Sequence, residues 1–346
     1  MTFLCRSIRE SDIDFLYRLA QQISMIRLPR DKRELIKIIQ KSIESFSADI
    51  PPEDGVYVFV LENMLNREII GTIRIDAGFG SKEHPYYFFD VIEKEHTDED
   101  LGIRIKHKVL KLNVNRNISV LNTVMLNAEY RKRSDKLGKL LVFLSFVYMG
   151  LCPDKCTNQI QVSLEAPVTD KGINPFWNAL GKNFTGLDSK DTYNLFKQNK
   201  RDFIWNIFPK EDIYICLLAP ENHPSSERVR NLAMKHILDD IGFQYLNRTD
   251  VFGGPIFGAY QKDISVIKKG TVYKVDHTES EPSQGTALMG FMKDGCFRGG
   301  YFPFRSVSQT AFLSGSTKKL LGLNNGDSVY VCPIDYTKYR GQTCKN

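Results

Sequence analysis

Ser119-Val120-Leu121-Asn122-Thr123-Val124-Met125-Leu126, then Asn127-Ala128-Glu129-Tyr130-Arg131-Lys132-Arg133, then an apolar run from about Leu137 to Gly150, is the stretch that decides the fold. The first eight residues are mostly apolar and β-branched and read as a strand; the final run reads as a buried helix. Between them lies a basic loop, with Lys136, Gly138 and Lys139 close behind. The first amides of a helix lack intrahelical partners, and the helix dipole adds partial positive charge there. A diphosphate can therefore sit at this strand-to-helix turn with Arg131, Lys132, Arg133, Gly138 and Lys139 around it. A solvated basic helix start is the plainer alternative.

Upstream, Ile13, Leu16, Leu19 and Ala20 recur at helical spacing, with Ser11 as N-cap and Asp12 and Asp14 at the end where the dipole favours acids. Leu28-Pro29 breaks the chain, and Leu35, Ile36, Ile39 and Ile43 mark a second amphipathic helix that ends before Pro51-Pro52. Val56–Leu61 and Ile69–Ile75 pair as a hairpin. Residues 80–112 are polar and carry no clear pattern. Ile160–Leu164 is another strand, Pro175–Gly181 a short helix closed by glycine, and Ser226–Asp240 a helix stopped by Gly242. His277–Gly285 reads as a polar loop. Short strands at 271–275, 287–292 and 328–331 predict a β-rich ending. The expected division is a core of residues 1–265 and a C-terminal β-rich subdomain of residues 266–346.

The 346 residues are 42% hydrophobic and 25% charged, a soluble globular profile. A net charge of +6 is modest, which argues against a nucleic-acid partner and suits an anionic cosubstrate such as coenzyme A. Leu140–Leu151 is too short for a membrane span, which needs roughly 20 residues, so no membrane partner is expected. The N-terminus shows no signal-peptide pattern. The seven cysteines run from Cys5 to Cys344; only Cys152 and Cys156 are close, and no second pair or nearby histidine completes a metal set. The expectation is reduced thiols, no metal and a cytoplasmic protein.

Two helices followed by a strand hairpin is also the usual opening of the GNAT acyltransferase fold, an α/β fold with a mixed, splayed central sheet. Arg133-Ser134-Asp135-Lys136-Leu137-Gly138 resembles the GNAT phosphate signature, with Lys136 where the first glycine stands. In such enzymes the preceding strand parts from its neighbour and its backbone pairs with the pantetheine arm and polarises the thioester carbonyl. The resemblance gives that task to Val124 and Leu126.

Longer blocks, in matching order, resemble the arginine N-succinyltransferase family. They are Arg6-Ser7-Ile8-Arg9-Glu10-Ser11-Asp12; Tyr57–Glu62; Leu126–Lys132; Asn174-Pro175-Phe176-Trp177 with Leu180-Gly181-Lys182; Phe203-Ile204, Pro209-Lys210 and Ile213-Tyr214; Gly242-Phe243; Asp250-Val251-Phe252-Gly253-Gly254-Pro255; and Leu323–Asp327. The resemblance implies transfer of succinyl from succinyl-CoA, a cosubstrate and not a permanently bound cofactor, to the α-amine of arginine in a homo-oligomer. It implies acid–base work for a histidine before proline, hence His223-Pro224; His84-Pro85 lies in the wrong region. An imidazole can accept the proton that an α-ammonium must lose before it attacks a thioester. Tyr130 or Tyr214 can protonate the leaving thiolate, though both read more simply as packing residues.

Three segments depart from the family: Gln21–Arg27 lacks its glycines, Ser163-Leu164-Glu165-Ala166 stands where it has Glu-Met-Arg-Gly, and Asn113–Ile118 replaces an acidic turn. These are pocket-type changes on a retained scaffold. They leave open a different amine or acyl-CoA, and Lys136 leaves open a silent acyl-CoA-binding relative.

Overall fold

A helix that is apolar on every side must be enclosed on every side, and the fold is organised around enclosing the one after Lys136. The computed structural model describes residues 3–21, 28–80, 85–115, 117–131, 133–197, 201–278 and 284–338. β1 (Phe3–Ser7) leads to α1 (Ile13–Gln21) and α2 (Lys32–Ser47). β2 (Val56–Asn63) and β3 (Ile69–Phe79) form the expected hairpin, and β4 (Tyr86–Asp98) and β5 (Ile103–Asn115) a longer one. Next come β6 (Ile118–Leu126), α3 (Leu137–Leu151) and β7 (Gln159–Ser163). A helical stretch holds α4 (Lys182–Thr185), α5 (Ser189–Lys197) and α6 (Phe203–Ile207); after it come the short β8 (Ile213–Tyr214) and α7 (Leu232–Ile241). β9 (Gln244–Asp250), β10 (Pro255–Tyr260) and α8 (Ser265–Lys268) precede the tail of β11 (Thr271–Thr278), β12 (Gly285–Lys293), β13 (Cys296–Val307), β14 (Thr310–Ser314), α9 (Gly315–Leu321) and β15 (Ser328–Cys332).

The main sheet runs β1-β2-β3-β6-β7-β10-β9-β4-β5-β8. Its described neighbours are antiparallel except β6 and β7, which are parallel. α1 and α2 cover one face: Leu16, Leu19, Leu35 and Ile39 pack with Val58, Val60 and Met125. α3 lies on the other with Leu121, Leu126 and Ile73. The tail closes its own circuit, β12-β15-β11-β14-β13 and back to β12, a five-stranded barrel filled by Met289, Phe302, Phe304, Leu313, Val329 and neighbours. β13 also pairs with β1, Cys5 opposite Gly299. The outer wall of the barrel, with Leu288, Phe297 and Tyr330, closes over the rest of α3. Every α3 residue from Lys139 to Met149 is thereby buried, and each large apolar side chain so enclosed contributes roughly 1.5–3 kcal/mol.

Several local expectations are corrected. Ser11 is not the cap of the first helix: Asp12 accepts the Arg9 amide at 2.8 Å at the start of a short turn that runs into α1. Residues 86–98 and 103–115 are strands whose outer arms show charge and not apolar alternation, because they pair across the hairpin through Glu93–Lys106 and Glu95–Arg104. The helix at Pro175 runs through Gly181 to Thr185, since a Cβ on Gly181 would lie 2.4 Å from the Trp177 ring. The later helix starts at Leu232, where Asn231 caps the Met234 amide at 3.0 Å. β13, β14 and α9 carry no separate sequence signal.

One buried cluster fixes the first strand. Arg6 Nε donates to Glu62 at 2.6 Å, and its two terminal nitrogens donate to Asp12 at 2.8 and 3.0 Å. β1, β2 and the entry to α1 thus share one guanidinium. Burial alone would raise the Glu62 carboxyl, but hydrogen bonds and charge from Arg6, then Arg67, hold it below its ordinary value. A lowered folded value gives stability that is full above the unfolded carboxylate pKa and is lost as pH falls through the folded one. Arg6→Met leaves the buried Asp12 carboxylate without its cation and Glu62 with only the exposed Arg67, and we expect it to cost about 3–5 kcal/mol in urea unfolding at pH 7. The deficit should shrink below about pH 4, where carboxylates take up protons; a deficit independent of pH would sink this account.

Candidate active site

β6 and β7 touch as parallel strands only at Ser119 with Ile160 and Val120 with Gln161. Ser119 fixes that vertex. Its amide donates to Thr157 Oγ1 at 2.7 Å, its hydroxyl donates to the Ala77 carbonyl at 2.7 Å, and it accepts the Thr157 amide at 2.8 Å. Beyond the vertex β7 stays with β10 as far as Ser163, whereas β6 stays with β3 as far as Leu126. The two strands part, and a V-shaped gap opens between Asn122–Leu126 and the end of β7.

β6 also carries a bulge. From Thr72–Met125 to Arg74–Asn122, β3 advances two residues and β6 three. Thr123 takes up the excess at φ +50°, its amide donating to Asn122 Oδ1 at 3.0 Å. Positive φ is costly for a β-branched residue and clusters at functional sites. The Asn127 amide donates to Ile70 across the β3 side at 2.8 Å. Strand alternation then points the N–H and C=O of Leu126, and of Val124, into the gap. Arg131 Nε donates to the Leu126 carbonyl at 2.9 Å, folding the basic loop over the end of the strand.

At the mouth of α3, Lys136 caps the helix at φ +48°, and its ammonium bonds the Thr337 carbonyl. Tyr336 donates to the Asp135 carbonyl at 2.9 Å, so residues 336–337 form one rim. Arg133 is exposed; its ion pair with Asp135 at 3.0 Å holds its guanidinium above its ordinary pKa. Gly138 faces Leu126, and a Cβ there would meet only Leu126 Cδ1, at an ordinary 3.4 Å, so protein packing does not require this glycine. Lys139 departs from expectation. It is buried and reaches Asp240 on α7 at 2.7 Å, turned into the core and away from the loop. Lys132 lies outside the described residues.

A cavity of about 910 Å³ lies where the V opens toward α2. Val120 and Asn122 of β6, Ser163 of β7, Arg74 and Asp76 of β3, and Phe79, Phe196, Arg201, Asp250 and Phe252 line it. Arg74 pairs with Asp76, whose other oxygen accepts Asn122 at 3.1 Å. Two sequence blocks build the far wall. Asn174 caps the Trp177 amide at 2.8 Å and donates to the Phe252 carbonyl at 2.9 Å, while Trp177 packs against Phe252 at 5.1 Å. Asp250 accepts the amides of Phe252 and Gly254 and the Ser163 hydroxyl, the last at 2.5 Å.

His223 is half-buried on a loop and does not line the cavity. Its Nε2 lies 3.1 Å from the Leu218 carbonyl. A carbonyl only accepts, so in the neutral ring Nε2 carries the proton and Nδ1 is the basic nitrogen. Downstream, Arg230 donates to the Glu165 carbonyl and pairs with its carboxylate at 3.3 Å, tying this loop to the end of β7. Neither Tyr130, bonded to Glu68, nor Tyr214, packed on His107, borders the cavity. Of the divergent segments, Ser163 faces the cavity and Glu165 does not; residues 22–27 and Arg116 lie outside the described residues. Sequence reading missed Arg74, Asp76, Asn122 and Arg201. The first two had a signal, since residues two apart on one strand share a face.

A family model described as arginine N-succinyltransferase beta subunit matches residues 3–266. Arginine N-succinyltransferase of Shigella dysenteriae is 28% identical over 286 residues, covering 81% of this chain and 82% of that protein. That of Escherichia coli is 27% identical over the same span. The solved structure of arginine/ornithine succinyltransferase subunit AI from Pseudomonas aeruginosa, 25% identical, superposes with a TM-score of 0.82 over 96% of this chain and 98% of that one.

The double glycine packs tightly behind the cavity wall. A Cβ on Gly254 would lie 2.2 Å from the Leu164 carbonyl and 2.7 Å from Asp250. Gly254→Ala should push the wall off β7 and lower stability by about 1–3 kcal/mol, read as a shift of the thermal midpoint. An unshifted midpoint would show that the two blocks are not packed as described.

Proposed function

The chain belongs to the arginine N-succinyltransferase family, and from that premise we propose that it transfers succinyl from succinyl-CoA to the α-amine of arginine on a GNAT-like scaffold. The observation that carries the reading is the parted β6 strand, which leads from the mouth of α3 at Leu126 to the cavity at Asn122. The path is roughly 13 Å at about 3.3 Å per residue. Coenzyme A enters as a cosubstrate and leaves as a product; no permanently bound cofactor is needed.

The diphosphate takes the amides that open α3, with Arg131, Lys132 and Arg133 adding charge and Gly138 giving close approach. The Lys139 side chain takes no part, since Asp240 holds it. The pantetheine arm lies along β6 and pairs with the backbone of Val124 and Leu126. The neutral amine attacks the thioester carbon, and the backbone amides of β6 stabilise the oxyanion. The new C–N bond forms, the C–S bond breaks and thiolate departs. The ammonium proton passes to His223 Nδ1 through water, because the ring stands back from the cavity lining. We also propose a homo-oligomer working in the cytoplasm on small molecules alone. Among the described residues no helix is long and apolar enough to cross a membrane.

Purified protein mixed with succinyl-CoA and arginine should release free thiol and form N-succinylarginine, followed by thiol titration and mass spectrometry. Coenzyme A binding without thiol release would favour a silent relative instead. His223→Ala should keep the affinity for succinyl-CoA and lower kcat by about 10²–10⁴-fold; undiminished turnover removes His223 from the mechanism. Sedimentation velocity should give a species of at least twice the chain mass, and a monomer at working concentration rejects the oligomer.

A further inference from the structure

Arg201 stands out among the charges that line the cavity. Its Nε is buried and has no hydrogen-bond partner among the described residues. The guanidinium lies over two rings, 5.6 Å from the centroid of Phe79 and 5.6 Å from that of Phe196, and both rings also line the cavity. Asp76 acts on it only through space, and the oxygens of Asp76 are already held by Arg74 and Asn122. Burial pushes the Arg201 pKa down and the charge of Asp76 only partly offsets this, yet arginine stays protonated in proteins. A largely desolvated cation beside a cavity, with no carboxylate bonded to its buried Nε among the described residues, is destabilising unless an anion arrives.

The planar guanidinium fork matches a carboxylate in two parallel hydrogen bonds. The adjoining aromatic walls suit a short aliphatic chain leading to that carboxylate. We propose that Arg201 is the carboxylate receptor of this cavity. The proposal rests on the acyl-transfer reading above, in which two carboxylates come near: the free end of the succinyl group and the α-carboxylate of arginine. A bound carboxylate at Arg201 sets the distance from that end of the substrate to the parted strand. It thereby selects substrates by where their charge lies. Arg74 does not duplicate the role, since Asp76 engages it.

The test compares each carboxylate ligand with a counterpart lacking the charge: succinyl-CoA with butyryl-CoA, and arginine with agmatine. Calorimetric titration of wild-type protein and Arg201→Gln gives four affinities for each. One carboxylate ligand should bind wild type more tightly than its counterpart, and Arg201→Gln should close that gap by roughly tenfold to a hundredfold while the counterpart changes little. Closure for succinyl-CoA identifies the donor as the source, and closure for arginine identifies the acceptor. Arg201→Lys keeps charge without the fork and should leave a partial gap; it also serves if the glutamine variant does not fold. Gaps equal in wild type and both variants, or no gap in wild type, overturn the proposal. Gaps that behave as stated in a protein that transfers no succinyl leave the receptor standing and overturn the acyl-transfer reading alone.

Discussion

Two residue pairs of parallel ladder, set by one serine, determine the working geometry of this protein. An antiparallel sheet can continue indefinitely through hairpins, but β6 and β7 run the same way because α3 connects them. Each has an antiparallel partner on its far side that holds it for its whole length, β3 for one and β10 for the other. With the vertex clamped by Ser119 and Thr157 and the far edges held apart, the strands diverge. The bulge at Thr123 is accommodated in the pairing with β3. The amides that a central strand would bury in ladder bonds are left facing the gap.

The helix that links the two strands is fixed just as firmly. α3 is buried against the sheet on one side and the barrel on the other, so its first turn cannot tilt away from Leu126. The wall beyond β7 is held by a separate small core in which Trp177, Phe176 and Phe252 meet Phe89 and Phe208. Strand and helix mouth are therefore tied to one hydrophobic cluster and the cavity wall to another. This division lets side chains facing the cavity change, as at Ser163, without loosening the frame.

Much of this was legible in the residues because it rests on local pattern. The apolar runs of β2 and β3, the uniform apolarity of α3 and the turn between β6 and α3 are short-range features. What escaped was non-local. The vertex depends on Thr157 meeting Ser119, which no spacing announces, and a threonine at positive φ has no sequence mark. The long hairpin of β4 and β5 hides because its outer arms are charged on both faces. Lys139 was misplaced by its nearness to a basic loop; helix geometry turns it inward to Asp240. Arg201 belongs to no motif, and only the approach of Phe79 from a distant strand, together with the nearby Phe196, gives it an environment. The family blocks behaved differently: Asn174–Trp177 and Asp250–Pro255 were noticed as fingerprints, and their physical content is a mutual packing contract around the cavity.

The closure of the barrel onto β1 has a bearing on how the chain must be made. β1, at Phe3–Ser7, finds its β13 partner, at Cys296–Val307, only long after it has itself left the ribosome. Until then the outward side of α3 has no cover, and a greasy helix is on display in a half-made chain. Such a nascent chain is a natural client for holdase chaperones, and slow or interrupted translation before β12 would favour clumping over maturation.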